Sequence, residues 1–238
     1  GVGIDGIDIN LTKENQIRVT NTPGVLNDDV ADIALTLILT TNRNIINADK
    51  YARSRLWEKS PMPYGSGLAG KTLGIVGFGR IGEAVAKRVL PLKLKIAYHN
   101  RTKKDSPHKY FASLIELAHN SDILLCILPG GQETERVINR EVFKALGPTG
   151  IFINIGRGTS VDENSLIEFL AHKKIAAAGL DVYAEEPLIP KALLELDNTV
   201  LLPHIGSATI ETRDAMGDLV LKNLEAFFSN NELVTEVK

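Results

Sequence analysis

The 238-residue sequence has one cysteine, almost no charge imbalance, no apolar run long enough to cross a bilayer and no methionine at its first position. Each shortage narrows the possibilities. A formal net charge of −2 leaves no electrostatic footprint for a polyanion, and the densest basic cluster is Arg101 with Lys103 and Lys104, so nucleic-acid binding is not expected. The longest apolar stretch, "IALTLIL", is too short and too threonine-interrupted to span a membrane, and no charged-then-apolar leader precedes it. The lone Cys126 lies in "ILLCIL", where it reads as a core-filling side chain with no bridge to make. The expectation is a soluble, cytoplasmic protein with no membrane, nucleic-acid or metal partner. What is present is ordinary for a globular chain, with 44% apolar and 24% charged residues and enough length for a real core.

From Gly70 onward short β-rich runs alternate with helical ones. Six candidate strands are "TLGIVG" (72–77), "LKIAY" (94–98), "DILLCIL" (122–128), "GIFINI" (150–155), "AAAGLDV" (176–182) and "NTVLLP" (198–203). Nearly continuous apolar runs of this length suit strands buried on both faces. Between them, "IGEAVAKRVL", "SLIELAHN" and "NSLIEFLAHKK" carry helical periodicity, with Asp162 placed to cap the last of these. Alternation of this kind predicts an α/β fold with a doubly wound parallel sheet, and ligands outside the carboxyl ends of its strands.

The region before Gly70 is different. "NDDVADIALTLILTTNRNI" puts Val30, Ile33, Ala34, Leu37 and Ile38 on one helical face, while Leu35 and Leu39 extend the apolar surface to a second. Asp28 and Asp29 suit its N-terminus and Arg43 its far end. A helix apolar on two sides needs two neighbours; a second subunit and a second domain fit equally well. Residues 57–69 read as a loop, and a last helix is expected from about Ala208 to Ser229.

Chemistry-bearing residues gather at the strand ends. "GFGRIG" sets Gly77, Gly79 and Gly82 in G-x-G-x-x-G spacing between an apolar strand and an amphipathic helix, the context in which backbone approaches a pyrophosphate. A tight strand-to-helix turn is the plainer alternative. At the end of the second strand, where an acid would accept hydrogen bonds from the ribose hydroxyls of NAD, stand Asn100 and Arg101, followed by Thr102, Lys103 and Lys104. A 2′-phosphate would be attracted to this cluster, so NADP(H) is favoured over NAD(H), against the alternative of a solvated basic loop. Arg157, the adjacent Glu185 and Glu186, and His204 follow three further strands. An isolated histidine there is more often structural, and a single arginine more often a surface ion-pair partner. Their shared position at one edge of a parallel sheet is what favours a site.

Five segments, "TPGVLNDDVADIALTLIL", "LAGKTLGIVGFGRIG", "INIGRGTSVDENSL", "AAGLDVYAEEP" and "LLPHIGSAT", make the whole chain resemble the D-isomer-specific 2-hydroxyacid dehydrogenases. The resemblance implies a catalytic arginine at Arg157, a glutamate at Glu186 that orients the imidazole, and a histidine acid at His204, with Glu185 a solvated neighbour. A carboxylate beside His204 electrostatically favours the protonated ring that reduction of a keto acid requires. Arg157, always charged, would grip the substrate carboxylate and polarise its carbonyl. It further implies Asp181 at the nicotinamide carboxamide, Arg80 and Ile81 at the pyrophosphate, and Pro129 and Gly130 as the adenine-side wall. Thr102, Leu128, Thr134, Ile155, Gly156, His204 and Gly206 complete the implied cofactor set, and Val2 and Gly3 resemble a loop that holds the substrate carboxylate.

In such proteins the substrate domain, flavodoxin-like, is built from an N-terminal segment and the C-terminal helix. Gly1 opens as though inside a folded unit, so most of that segment is expected to be lacking here. Residues 1–25 are then a partial substrate domain, 26–205 the dinucleotide-binding domain and 206–238 a helix returning to the substrate domain. "CILPGGQETERVINREVFKALGP" looks most like NADPH-dependent glyoxylate/hydroxypyruvate reductases and hydroxyphenylpyruvate reductases. Glu186 argues against the formate dehydrogenases, which replace it. The implied activity is NADPH-dependent reduction of hydroxypyruvate or glyoxylate to the D-2-hydroxyacid by a homodimer. The alternatives are an NAD-linked relative, such as a D-3-phosphoglycerate dehydrogenase, or a dinucleotide-sensing corepressor-like module.

Overall fold

The structure is a computed structural model and describes residues 1–230 and 232–237. Its helices are α1 (Ile9–Glu14), α2 (Asn27–Asn42), α3 (Ile45–Arg53), α4 (Arg80–Val89), α5 (Leu114–His119), α6 (Arg140–Leu146), α7 (Glu163–Ala171), α8 (Lys191–Leu194) and α9 (Ile210–Asn230). Its strands are β1 (Thr72–Val76), β2 (Lys95–His99), β3 (Lys109–Tyr110), β4 (Ile123–Cys126), β5 (Ile151–Asn154), β6 (Ala177–Leu180) and β7 (Thr199–Leu201). They form one sheet in the order β3-β2-β1-β4-β5-β6-β7, every pairing parallel. All six expected strands are present. The seventh, β3, is a two-residue edge strand against Ala97 and Tyr98, too short to leave a pattern in the sequence.

Side chains along each strand alternate between two cores, which is why the strands read as unbroken apolar runs. Leu73, Ile75, Ile123, Leu125, Ile151 and Ile153 pack with residues of α2 and α4 on one face. Val76, Leu124, Cys126 and Phe152 pack with α5, α6 and α7 on the other. Cys126 is fully buried, and burial raises its thiol pKa, so it fills space as expected. Helix α2 lies close on the sheet because Gly179 offers no side chain: a Cβ there would come within 2.7 Å of Thr41 Oγ1 and 2.9 Å of Ile153 Cδ1.

The buried face of α2 is Val30, Ala31, Ala34, Leu37, Ile38, Thr41 and Asn42. Ile33, partly buried, packs against the same core as expected, and Ala31 joins the buried set. On the second apolar side Leu35 packs partly against the core and Leu39 is 37% exposed. Arg88 of α4 donates to Asp28 at 2.8 Å and Asp32 at 2.5 Å, tying the two helices. Asp162 caps α7 by accepting from Ser165 N, as expected.

The last helix begins at Ile210 and the tail after it turns back to the first segment, with Asn21 N donating to Thr235 O and Thr20 bridging Glu236. The stretch expected at 206–238 includes residues 231 and 238, which lie outside the described residues. No described helix is long and apolar enough to cross a membrane.

Leu124 is fully buried at the centre of the sheet. Replacing it with alanine is expected to cost about 2–5 kcal/mol of stability, whereas Asp162→Ala, which removes one cap, should cost only about 1 kcal/mol. Urea denaturation of both variants beside the wild type measures the difference.

Candidate functional site

The chain places β2 and β3 on one side of β1 and then crosses to β4 on the other side. Strand order therefore reverses between β1 and β4, and a crevice must open above their carboxyl ends. A cleft of about 880 Å³ lies there, lined by Val76 to Gly79, His99 to Thr102, Lys104 and Ile127 to Thr134. Of the expected cofactor residues, Gly77, Gly79, Asn100, Arg101, Thr102, Leu128, Pro129, Gly130 and Thr134 line it.

The glycine turn is built for close approach. Gly77 has φ +94°, and a Cβ on it would meet Ile127 O at 2.9 Å. Gly79 precedes the first turn of α4, and a Cβ on it would meet no heavy atom within 4 Å, so this backbone borders open space in which a ligand can be approached closely. Arg80, Ile81 and Gly82 form the first turn of α4, whose N–H groups have no intrahelical acceptor. Ile81 turns its side chain partly into the core. A dinucleotide's pyrophosphate fits this donor set.

The position at which an acid would mark NAD has a structural use that the sequence did not show. Asn100 Oδ1 accepts from Phe78 N at 2.7 Å and its Nδ2 donates to Phe78 O at 3.1 Å. Its amide thus fastens the glycine turn to the end of β2, while Asn100 itself lines the cleft as the expected cofactor set has it. Arg101 is paired with Glu133, from the facing wall, and Lys104 Nζ lies 3.3 Å from Glu83 Oε1. Neither carboxylate was singled out in the sequence.

Strands β5, β6 and β7 are parallel neighbours, so Arg157, Glu186 and His204, each following one of them, emerge at the same edge. His204 Nδ1 and Glu186 Oε2 are 2.5 Å apart. With a carboxylate as the partner, Nδ1–H is the donor, which leaves Nε2 for a ligand. His204 has φ +54°, an uncommon conformation for a non-glycine residue. Asp181 holds it in place, accepting from Ile205 N and Gly206 N at 2.8 Å each. Burial raises the Asp181 pKa, and those two backbone hydrogen bonds oppose the rise. Both of its oxygens therefore support the histidine loop, a use the expected carboxamide role did not include. A Cβ on Gly206 would lie 3.0 Å from Asp181 Oδ2.

Tyr183, not singled out in the sequence, completes this frame. Its N–H donates to Glu186 Oε1 at 3.1 Å and its hydroxyl donates to Leu202 O at 2.9 Å, joining the loop after β6 to the end of β7. Burial pushes its phenol pKa up. The same loop is pressed against the arginine segment, since a Cβ on Gly158 would fall 1.9 Å from the Tyr183 carbonyl carbon. Glu185 is exposed, as expected of a solvated neighbour.

Arg157 leaves β5 through a turn in which Asn154 accepts from Gly156 N and donates to Arg157 O. Ile155 and Gly156 are buried in this turn, where a Cβ on Gly156 would meet Leu128 O at 2.5 Å. Arg157 Nε lies 3.2 Å from both carboxylate oxygens of Asp5, and Nη1 donates to Gly156 O at 3.0 Å. Gly3 abuts the guanidinium: a Cβ there would come within 1.9 Å of Nη2. Val2 is tied by Asn21 Nδ2, which donates to its carbonyl at 3.0 Å. Asp5 was missed, although an acid inside "GVGID" was the available signal.

Comparison with known proteins accords with this geometry. The family model described as "D-isomer specific 2-hydroxyacid dehydrogenase, NAD binding domain" matches residues 35–206. The chain is 48% identical over 237 residues to glyoxylate/hydroxypyruvate reductase A of Arabidopsis thaliana, covering 99% of this chain and 76% of that protein. It is 49% identical, over the same shares, to hydroxyphenylpyruvate reductase of Plectranthus scutellarioides. Among solved structures, the NADPH-dependent glyoxylate/hydroxypyruvate reductase of Sinorhizobium meliloti, in complex with NADP and malonate, is 44% identical with a TM-score of 0.95, covering 100% of this chain and 75% of that one. The chain belongs to the D-isomer specific 2-hydroxyacid dehydrogenase family, whose NAD-binding domain occupies residues 35–206.

Proposed function

We propose that the chain reduces a small 2-keto acid, hydroxypyruvate or glyoxylate, to the D-2-hydroxyacid with NADPH. The observation that carries the reading is the His204–Glu186 contact of 2.5 Å at the edge of the sheet where the glycine turn opens its cleft. The Arabidopsis and Plectranthus relatives, a glyoxylate/hydroxypyruvate reductase and a hydroxyphenylpyruvate reductase, support the substrate class, and the NADP in the Sinorhizobium complex supports the cofactor.

Bound above β1 and β4, a reduced nicotinamide cofactor would supply hydride to the carbonyl carbon. The chain's own residues do the rest. The first-turn N–H groups of Arg80, Ile81 and Gly82 would hold the pyrophosphate, and Arg101 would meet the 2′-phosphate. Arg157, steadied by Asp5, uses its remaining N–H donors to draw on the substrate carboxylate and carbonyl. Glu186 holds Nδ1–H of His204, so Nε2–H is directed at the carbonyl oxygen and delivers the proton as the alkoxide develops. The backbone of Val2 and Gly3, beside Arg157, is the rest of the substrate's seat. The second apolar side of α2, with Leu39 exposed, supports a homodimer, which light scattering of the purified chain tests.

A panel of 2-keto acids assayed with NADPH and NADH should show faster turnover with NADPH on hydroxypyruvate or glyoxylate. His204→Ala should lower kcat about 10²–10⁴-fold while leaving NADPH affinity nearly intact. Unchanged turnover would remove the histidine from the mechanism. A cofactor-dependent protein partner without any keto-acid reduction would favour a sensor instead. Asp5→Ala should raise KM for the keto acid and lower kcat, with Asp5→Glu recovering part of the loss; steady-state kinetics on the three proteins reads both parameters.

A further inference from the structure

The cleft contains a carboxylate aimed at the cation on which NADPH recognition depends. Arg101, on the loop after β2, donates through Nη1 to Glu133 Oε2. Glu133 comes from the facing wall, on the short turn Gln132–Thr134 after β4. That turn is fastened by Thr134 Oγ1, which donates to Pro129 O at 2.7 Å and to Gly131 O at 3.0 Å. Both partners line the same cleft, so the pair bridges its two walls.

The pair is also exchangeable. The Arg101 and Glu133 side chains are 85% and 77% exposed, and ion pairs this open to water contribute little. A 2′-phosphate placed on Arg101 would make stronger, charge-assisted hydrogen bonds than the carboxylate does. To do so it must share or take over the guanidinium, and Glu133 is then left facing a dianion of the same sign. A ribose 2′-hydroxyl needs no guanidinium and meets no such repulsion. The effect of Glu133 therefore falls on one cofactor and not the other, and selectivity is set by that difference.

We propose that Glu133 is a specificity-determining residue: it competes with the 2′-phosphate for Arg101 and so lowers the preference for NADPH that Arg101 alone would give. This inference rests on the NADPH reading above.

Calorimetric titration of the 238-residue chain with NADPH, NADH and adenosine 2′,5′-bisphosphate tests it without relying on turnover. Glu133→Gln should tighten NADPH and the bisphosphate about two- to five-fold, the range of a broken exposed ion pair, and leave NADH unchanged. In an Arg101→Gln background the same substitution should tighten NADPH by less than it does in the wild type, because the competition for the guanidinium is gone and only the like-charge repulsion of Glu133 remains. Weaker or unchanged NADPH binding by Glu133→Gln would overturn the inference, as would an equal gain for NADH. Arg101→Gln separates the two layers of argument. If it reduces NADPH binding while Glu133→Gln changes nothing, only this inference falls. If it leaves the NADPH-to-NADH ratio unaltered, the NADPH reading falls and takes the inference with it.

Discussion

All seven strands of the sheet run the same way, and every other feature of the site depends on that constraint. Parallel strands need a return connection over one face or the other, so each strand delivers its following loop to the same rim. Residues far apart in sequence, Gly77, Asn100, Pro129, Arg157, Glu186 and His204, are thereby brought to one edge. The two cores on opposite faces hold this edge rigid, since neither sheet face is left to solvent.

Placement at an edge is not yet orientation, and orientation comes from a small set of side-chain to backbone hydrogen bonds. Asn100 ties the end of β2 to the glycine turn. Asn154 shapes the exit of β5. Asp181 fixes the backbone after His204, and Tyr183 joins the loops of β6 and β7. Asn100, Asp181 and Tyr183 satisfy their polar groups on neighbouring loops and Asn154 on its own turn, so the geometry of the rim is overdetermined. The left-handed backbone at His204 can persist because its neighbours on the C-terminal side are pinned.

The sheet was legible because buried parallel strands write themselves as unbroken apolar runs, and the glycine turn because its spacing sits between a strand and a helix. Strand β3 was not, since two residues carry no period. Helix α6 was not assigned either, although Asn139 caps it by accepting from Glu141 N and Val142 N and Gly147 follows its end; the signals there are local and the helix is short. Arg157, the Glu185–Glu186 pair and His204 could be picked out by charge and strand position, and the family resemblance chose Glu186 of the pair. The pairings across the fold, Asp5 with Arg157 and Glu133 with Arg101, could not, because nothing in a linear sequence states which carboxylate a cation will meet. Asn100 marks the same limit: the absence of an acid was visible, but the use of its amide on Phe78 was not.

Asp29, at the start of α2, accepts from Thr209 Oγ1 and, at 2.5 Å, from Thr212 Oγ1. Together with the grip of Asp181 on residues 205 and 206, this leaves the short span between the histidine and α9 clamped at both ends to the nucleotide-side scaffold. The long terminal helix is thus moored twice, at its start to α2 through Asp29 and further along to the first segment, where Asn223 Nδ2 donates to Thr235 Oγ1, which in turn donates to Asn21 O. Its first turn sets the seat of the imidazole, and its later turns carry the segment that bears Val2 and Gly3.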